Sequence, residues 1–496
     1  MKSGSSFTAP LLAGLSSLSL LAGCTLAPIH PKPDMALPAQ YKEAPQPPAE
    51  APWKLAQPAD THARGEWWRV FDDATLNALE QQALEANQNL RIAAARLGQA
   101  RALEHSARAA LFPQVGIGFG PTRQQASPAA QGLAANADTR AQTLWRGQAS
   151  VAYEVDLFGR LDNTANAARL DAERDEALFH ATLLALQGDV AQAYFWVREL
   201  DGTQALYADT VKLRQETLRL LQRRFDAGDI GELELAQART ELAAAEAEVA
   251  GVARQRAVAE HALAILLGKS PASFSLPPRP IARLQVEVPT GLPSALLERR
   301  PDIAAAERSM AAANARIGAA KAAYFPRLSL TGTLGYESGR LGDLFKSASQ
   351  AYVLGPLVGT LLTLPVLDGG AREAGVAQAN SVYAEAVAQY RQSILQAFKE
   401  VEDHLAQLRL LNEQNAAQDR AVEAAQRAAH LSHVRYREGA ISYFNVIDAD
   451  RSVLQHQRTA VTLDGERARA TVNLIRALGG GWSAETSKGL DPLAIR

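Results

Sequence analysis

The chain reads Arg-Phe-Asp-Ala-Gly at residues 224–228 and Arg-Tyr-Arg-Glu-Gly at residues 435–439, which lie 211 positions further on. Nearly the same spacing relates Ala-Leu-Phe-Pro at 110–113 to Ala-Tyr-Phe-Pro at 323–326. A near-constant offset between matched segments is the mark of an internal duplication. The sequence therefore predicts two tandem structural repeats of roughly two hundred residues each.

Long helices are predicted around these matched segments. No proline interrupts residues 129–270 or 366–491, and both stretches are rich in alanine. They predict helical hairpins at about 159–267 and 370–478. The first helix of each hairpin has about 65 residues, so at 1.5 Å per residue it would reach roughly 100 Å.

The turn of each hairpin is predicted at a glycine, Gly228 or Gly439, because glycine accepts the positive φ that ends a helix. The helix that follows carries small or apolar residues at alternating spacings of three and four, which is typical of a helix packed along a narrow seam. In the first repeat these are Leu235, Ala238, Leu242, Ala245, Val249, Val252, Arg256, Ala259, Leu263 and Leu266. In the second they are Val446, Ala449, Val453, His456, Ala460, Leu463, Arg467, Ala470, Leu474 and Ala477.

Four stretches alternate between apolar and small or polar residues with a period of two, which predicts strands. They lie at about 113–120, 148–157, 327–336 and 351–367. Strands of about ten residues can cross a membrane. Four strands cannot close a barrel, however, and an open sheet edge is not tolerated in lipid. We therefore expect identical chains to pool their strands.

Four segments resemble signatures of the outer-membrane factor family, of the TolC, OprM and NodT type. They are residues 67–73, 155–160, 292–303 and 366–370, and the resemblance covers essentially the whole mature chain. It implies an α+β fold that is mostly α. Three protomers would give four strands each to an outer-membrane β-barrel that is continuous with a long periplasmic α-helical barrel.

The resemblance also implies a function. The chain would be the outer-membrane channel of a tripartite efflux system, a passive exit duct carrying small molecules from a periplasmic adaptor and an inner-membrane pump. It implies a homotrimer, with adaptors docking at the turns of Gly228 and Gly439. No enzyme motif, metal site or cofactor other than a covalent lipid is expected. The net charge of -2 argues against nucleic acid as a partner.

Other functions stay open at this point. A type I secretion duct would have the same architecture. A periplasmic coiled-coil adaptor lipoprotein would also have long hairpins, but not two matched pairs of membrane-length strands. A purely structural coiled-coil lipoprotein would lack the strands altogether. The substrate cannot be read from the sequence.

The family resemblance assigns a periplasmic gate to the second hairpin tip. Tyr436 would take part in closure, and three copies of Asp448 would form an acidic ring in the lumen. The chain departs from the family at Asn445, where a second ring aspartate is usual, and at Ile441, where a gate arginine is usual. The alternative is that Asp448 is an ordinary solvated helix residue.

The N-terminus resembles a lipoprotein signal. Residues 1–23 combine a weakly positive start with a short apolar stretch, and Leu-Ala-Gly precedes Cys24, the only cysteine. We expect Cys24 to be the lipid attachment site, which would tie the chain to the outer membrane. A buried structural cysteine is the alternative. The Pro- and Ala-rich stretch 24–65 is interpreted as a tether.

The remaining boundaries follow from the duplication. We place the first outer-membrane-factor repeat at 66–268 and the second at 294–479. A Pro-rich inter-repeat linker occupies 269–293, and a C-terminal tail occupies 480–496.

Two patterns could be mistaken for chemical sites. Glu400, Glu402, Asp403 and His404 form a dense cluster in which Glu400 and His404 lie one helical turn apart. We interpret the cluster as a solvated or lumen-facing helix surface. The glycines of 116–120 resemble a phosphate loop but lack the required strand-then-helix context, so they are assigned to a strand.

Overall fold

The computed structural model describes residues 41–43, 65–283, 286, 300–355 and 362–480. The signal segment, Cys24 and nearly all of the predicted tether and tail lie outside these described residues. The chain divides into two compact units, and the first contains 98–174 and 306–390. The second contains the rest of the described chain. No helix in the described residues is long and apolar enough to cross a membrane.

The two repeats contain matching helices. The two long helices have 67 residues each and the two returning helices have 35 residues each, which follows from the duplication. In the first repeat the helices are α1 (Ala74–Ala86), α2 (Gln88–Ala109), α3 (Arg160–Asp226) and α4 (Glu232–Leu266). In the second they are α5 (Pro301–Ala322), α6 (Ala371–Arg437) and α7 (Tyr443–Ala477).

The first helical segment is broken, whereas the sequence suggests one run to the Phe-Pro motif. Asn87 separates α1 from α2 with ψ at 126°. Its side-chain oxygen accepts a hydrogen bond from the Leu90 N–H at 3.0 Å and so caps α2. Its side-chain nitrogen donates to the carbonyl of Leu266, the last residue of α4, at 2.8 Å.

Arg300 makes the matching contact in the second repeat. Its guanidinium donates to the carbonyl of Ala477, the last residue of α7, at 3.1 Å. It also donates to Glu400 at 2.7 Å and to both carboxylate oxygens of Asp302 at 3.0 and 2.7 Å. In both repeats, therefore, the residue that precedes the short helix holds the end of the returning helix.

The strands form one antiparallel sheet among the described residues, in the order β1-β2-β3-β4, with a short β5 that also pairs with β3. Their bounds are β1 Gln114–Gln124, β2 Gln142–Val155, β3 Arg327–Ser338, β4 Gln350–Leu354 and β5 Leu362–Thr363. The register joins Gly118 to Gln148 and Gln148 to Gly335, so small and polar residues share one face. The opposite face carries exposed apolar side chains, among them Ile117 and Leu334.

The strand bounds differ from the expected ones most in the second and fourth strands, and β1 also ends at Gln124 rather than about 120. The second strand starts at Gln142 rather than about 148, because Thr143 to Gly147 pair with β1. The fourth is split into β4 and β5. Leu362 lies eight positions after Leu354, but their partners on β3 lie only four positions apart. Between them Gly355 has φ at 116°, which favours glycine and interrupts regular strand geometry.

An aspartate shortly before each long helix accepts hydrogen bonds from backbone N–H groups at the helix start. Asp156 accepts a hydrogen bond from the Asp162 N–H at 2.7 Å. Asp368 accepts from the Gly370 N–H at 3.1 Å and the Arg372 N–H at 3.2 Å. A carboxylate at this end satisfies free helix N–H groups and complements the helix dipole. Both strand-to-helix exits are thus stabilised by the same chemistry.

Candidate gate and docking site at the hairpin tips

Both hairpin tips end in the same backbone turn. Gly228 has φ at 79° and Gly439 at 74°. In the first tip Asp229 N–H donates to Arg224 C=O at 2.9 Å, and in the second Ala440 N–H donates to Arg435 C=O at 2.9 Å. This bond over five residues, with a left-handed glycine inside it, is the Schellman ending of a helix. The hairpin turns therefore lie at Gly228 and Gly439, the positions predicted for them from the sequence.

A small apolar cluster lies behind the two turns. Its members come from all four hairpin helices and from the turn before α4, so it joins the first hairpin to the second. They are Leu218, Leu221, Ile230, Ala238, Tyr436, Tyr443, Val446 and Ile447.

Tyr436, a predicted gate residue, contacts the other hairpin. Arg224 of α3 donates to the Tyr436 hydroxyl at 3.2 Å, and its guanidinium carbon lies 5.7 Å from the ring centroid. The Tyr436 ring also packs against Tyr443, with centroids 5.5 Å apart. Burial, and after it the nearby Asp450 charge, raises the pKa of Tyr443 to about 12, so this phenol is neutral at physiological pH.

At a greater distance from the turns, a buried carboxylate links the first hairpin to the second. Glu241 of α4 is almost fully buried and pairs with Arg214 of α3 at 2.9 Å. Arg451 of α7 donates to the same carboxylate at 3.0 Å. Sequence reasoning missed this group, because Glu241 lies between two seam positions and periodicity assigns it no partner.

Asp448, the predicted ring residue, is exposed on α7. Within the part of the chain that the structure describes, no hydrogen bond or ion pair joins Asp448 to Tyr436. Its charge does help to raise the pKa of Arg451, one turn further along α7, after the larger effect of Glu241. Asn445 accepts a hydrogen bond from the Ser442 hydroxyl at 3.0 Å. Ile441 is half-buried.

The acidic cluster on α6 makes contacts with other parts of the same chain. Glu402 accepts the backbone N–H groups of Lys42 and Glu43 at 2.8 and 3.0 Å. Glu43 in turn pairs with Arg409 at 2.8 Å. Among the described residues no group of three or more His, Cys, Asp or Glu side chains could hold a metal ion. The predicted lipid site, Cys24, lies outside the described residues.

Both repeats match one family model. The model of the outer membrane efflux protein family matches residues 79–269 and 292–480, which together make up most of the chain. The two matched segments coincide with the duplication. They confirm the predicted family resemblance, the two tandem repeats and the largely helical fold with antiparallel strands.

Individual relatives match over nearly the whole length. The chain is 34% identical to the probable efflux pump outer membrane protein TtgC of Pseudomonas putida, covering 97% of each sequence. It is 32% identical to the cation efflux system protein CusC of Escherichia coli, covering 93% of this chain and 96% of CusC. A solved membrane protein from Pseudomonas aeruginosa superposes with a TM-score of 0.82 at 32% identity, covering 92% of this chain and all of that one.

Proposed function

The chain belongs to the outer membrane efflux protein family, and from this premise we propose that three copies of it form a passive exit duct for small molecules. It is an outer-membrane channel component of an efflux system, a transport protein and not an enzyme, and it extends into the periplasm. The observation that carries the proposal is the pair of matching hairpin tips, joined by one apolar cluster.

The sheet supports the trimer. Within the described residues β1 and β4 have free edges, and one face of the sheet is polar while the other exposes apolar side chains. Free edges are not stable in lipid, whereas a closed ring of strands from several chains satisfies every backbone group. Four strand positions in each of three chains give a twelve-stranded barrel.

The hairpin tips support docking of a periplasmic adaptor. Exposed apolar side chains occupy matching positions on the two tips, Leu220 and Leu233 on the first and Leu431 and Phe444 on the second. Exposed apolar side chains that together form a patch indicate a protein contact. The adaptor would bind around Gly228 and Gly439 and separate the tips.

Photo-crosslinking in cells tests the docking. A photoreactive residue would replace Asp229 or Ala440 beside the turns, with exposed Ala247 on α4 as the control position. We expect capture of a periplasmic adaptor from the two tip positions and not from Ala247. Absence of an adaptor from the tips, with folded trimer present, would favour a stand-alone channel.

The gate proposal assigns closure to Tyr436 and an acidic ring to Asp448. The support is the Arg224–Tyr436 contact between the hairpins and the exposed carboxylate of Asp448. Divalent-cation block of single-channel current would be measured for Asp448→Ala beside Asp138→Ala, which changes an exposed loop carboxylate. Unchanged block in Asp448→Ala, relative to the native protein, would show that the ring is absent.

The membrane anchor would be a lipid on Cys24. One support is the sequence before this sole cysteine. The other is the attachment of residues 42 and 43, which follow Cys24 in the chain, to Glu402 of α6. Labelling with a palmitate analogue should mark the native protein and not Cys24→Ser. Equal labelling of both would exclude Cys24 as the attachment site. The pump, rather than the duct, would select the substrate.

A further inference from the structure

The inter-repeat linker crosses both hairpins. We call residues 276–283 the linker strap. Its first residue is tied to α4, because the Leu276 N–H donates to Glu260 at 2.5 Å and the Leu276 carbonyl accepts from Arg256 at 2.6 Å. The Leu276 side chain is buried in the core of the second unit. The strap therefore begins as a fixed part of the first hairpin.

The middle of the strap is held by a buried ion network. The carboxylate of Asp201 on α3 has no exposed side-chain surface and pairs with Arg198 at 2.9 Å and with Arg256 at 2.6 Å. The same carboxylate accepts the backbone N–H of Arg279 at 2.9 Å. Arg198 also donates to the carbonyl of Pro277 at 2.7 Å. The strap backbone thus completes a network inside the first hairpin.

The end of the strap contacts the second hairpin. The Arg283 guanidinium donates two hydrogen bonds to Asp419 of α6, at 2.9 and 2.8 Å, and one to Asp464 of α7 at 3.1 Å. One side chain therefore holds both helices of this hairpin. The guanidinium beside Asp419 keeps the pKa of that carboxyl below its usual range.

The ion pairs at the middle of the strap and those at its end differ in exposure. The side chain of Arg283 is 42% exposed and that of Asp419 is 46% exposed, whereas the side chains of Asp201 and Arg198 are at most 4% exposed. Exposed ion pairs are weak and are screened by salt. A buried network resists disruption, because removing a partner leaves a charge without solvent. Pulling the hairpins apart would therefore break the strap at Arg283 and leave it attached to α3 and α4.

We propose that the linker strap is a latch: it stays anchored to the first hairpin and releases the second at Arg283 when the channel opens. The latch rests on the proposed channel function. Other polar contacts join the hairpins directly, such as Glu199 with Arg469. The strap differs from them because its anchored end survives release and can capture the second hairpin again.

Single-channel recording of the purified full-length protein tests the latch. Arg283→Gln should raise the open probability at low salt by roughly two- to fivefold, the factor expected from one exposed ion-pair group. High salt should raise the open probability of the native protein and change that of Arg283→Gln much less. The double variant Asp419→Asn with Asp464→Asn should behave like Arg283→Gln, and combining all three should add nothing, because they remove one interaction.

The chain offers a matched control within the strap. Arg279→Gln also removes an arginine, but the Arg279 side chain contacts Asp73 and Tyr194 of the first repeat and not the second hairpin. Its open probability should equal that of the native protein. An equal rise in Arg279→Gln and Arg283→Gln would overturn the latch, since the effect would then come from loosening the strap in general.

Hydrogen exchange provides a readout that does not depend on conduction. The second tip, around Tyr436 to Tyr443, should exchange several-fold faster in Arg283→Gln and at the native rate in Arg279→Gln. Native tip exchange and native open probability in Arg283→Gln would overturn the latch. A protein that never conducts but shows the exchange difference would overturn the proposed channel, while still showing that Arg283 restrains the second hairpin.

Discussion

Gly335 is the residue at which the sheet tolerates no side chain. It pairs with Gln148 across β2 and β3. A Cβ atom at Gly335 would lie 2.2 Å from the carbonyl oxygen of Gly147 and 2.7 Å from the Cα of Gln148. Both obstacles are backbone atoms, so the strand itself must shift to accept even a methyl group. The register of β2 and β3 therefore depends on glycine at this position.

We expect Gly335→Ala to weaken the sheet by about 1–3 kcal/mol, the usual cost of overpacking a closely packed site. The measurement is gel electrophoresis of samples heated to increasing temperatures. The band of the folded protein should disappear at a lower temperature for Gly335→Ala than for the native protein. Gly118→Ala is the matched control, because a Cβ there meets no atom within 4 Å. Equal losses in both variants would contradict the steric explanation.

Glu80 is a carboxyl group buried without a hydrogen-bond partner. Neither carboxylate oxygen has a partner among the described atoms, and the residue has no exposed surface. Burial raises the pKa of Glu80 to about 9 from its ordinary value of 4.5. The folded protein therefore holds a proton on Glu80 at neutral pH that the unfolded chain releases.

Because the folded-state pKa is the higher one, stability should fall as pH rises from about 4.5 towards about 9. Glu80→Gln, which stays neutral, should remove a slope of up to ~1.4 kcal/mol per pH unit. Denaturant unfolding at pH values across this window measures it. Exposed Glu85→Gln on the same helix is the control, and a native slope in Glu80→Gln would show that Glu80 is not protonated.

Residue roles were only partly predictable from the sequence. Gly228 and Gly439 could be placed in turns, because glycine after a long helix commonly ends it, whereas their role in adaptor docking stays a prediction. Glu80, Glu241 and Gly335 could not be placed, because their roles come from atoms distant in the chain. No local pattern distinguishes a buried glutamate from the solvated ones around it.

At the level of the helices, one polar side chain in each repeat joins a short helix to the end of the returning helix. Asn87 and Arg300 stand before α2 and α5 and hold the last carbonyls of α4 and α7. The two residues differ in chemistry but bind the same backbone position. In each repeat, the residue before α2 or α5 is thus hydrogen-bonded to the end of the returning helix.

Asn87→Ala should destabilise the second unit by about 1–2 kcal/mol, because α2 loses its cap and the Leu266 carbonyl loses a donor. Chemical denaturation followed by helical circular dichroism measures the change. Gln88→Ala, at the next and exposed position, should be close to neutral. A neutral Asn87→Ala would mean that another donor reaches Leu266.

The helices were more predictable than the strands. Proline-free, alanine-rich stretches predict helices directly, and the 67-residue lengths follow from them. The break between α1 and α2 was missed, because an asparagine within a helical pattern does not by itself indicate that a new helix begins there. The split between β4 and β5 was missed because Tyr352 to Val366 reads as one apolar run. Only the pairing with β3 shows that this run forms two strands rather than one.

At the scale of the whole molecule, the beginning of the described chain is fastened to its second half. The backbone of Lys42 and Glu43 is held by Glu402, and Glu43 is held by Arg409. Cys24 lies 18 positions before Lys42, so a fully extended chain would place it at most roughly 60 Å from this site. The position of the proposed lipid anchor is therefore limited by α6.

Glu402→Ala should release this attachment, because two backbone N–H groups lose their acceptor. Trypsin cleavage after Lys42 in the folded protein should become several-fold faster, since a protease requires a detached segment. Asp403→Ala is the matched control, because Asp403 pairs with Lys399 on its own helix. Equal cleavage rates in the native protein and Glu402→Ala would show that the segment is held elsewhere.

The two sheet edges that are unpaired among the described residues also bear on how the protein reaches its membrane. A lone chain that entered lipid would carry the unpaired backbone groups of β1 and β4 with it, at a cost of several kcal/mol for each group. If the proposed trimer forms, the barrier to insertion should fall only when other copies pair those edges. For the proposed trimer we therefore expect an insertion rate that rises steeply with the local concentration of chains, with assembly and membrane entry occurring in one kinetic step.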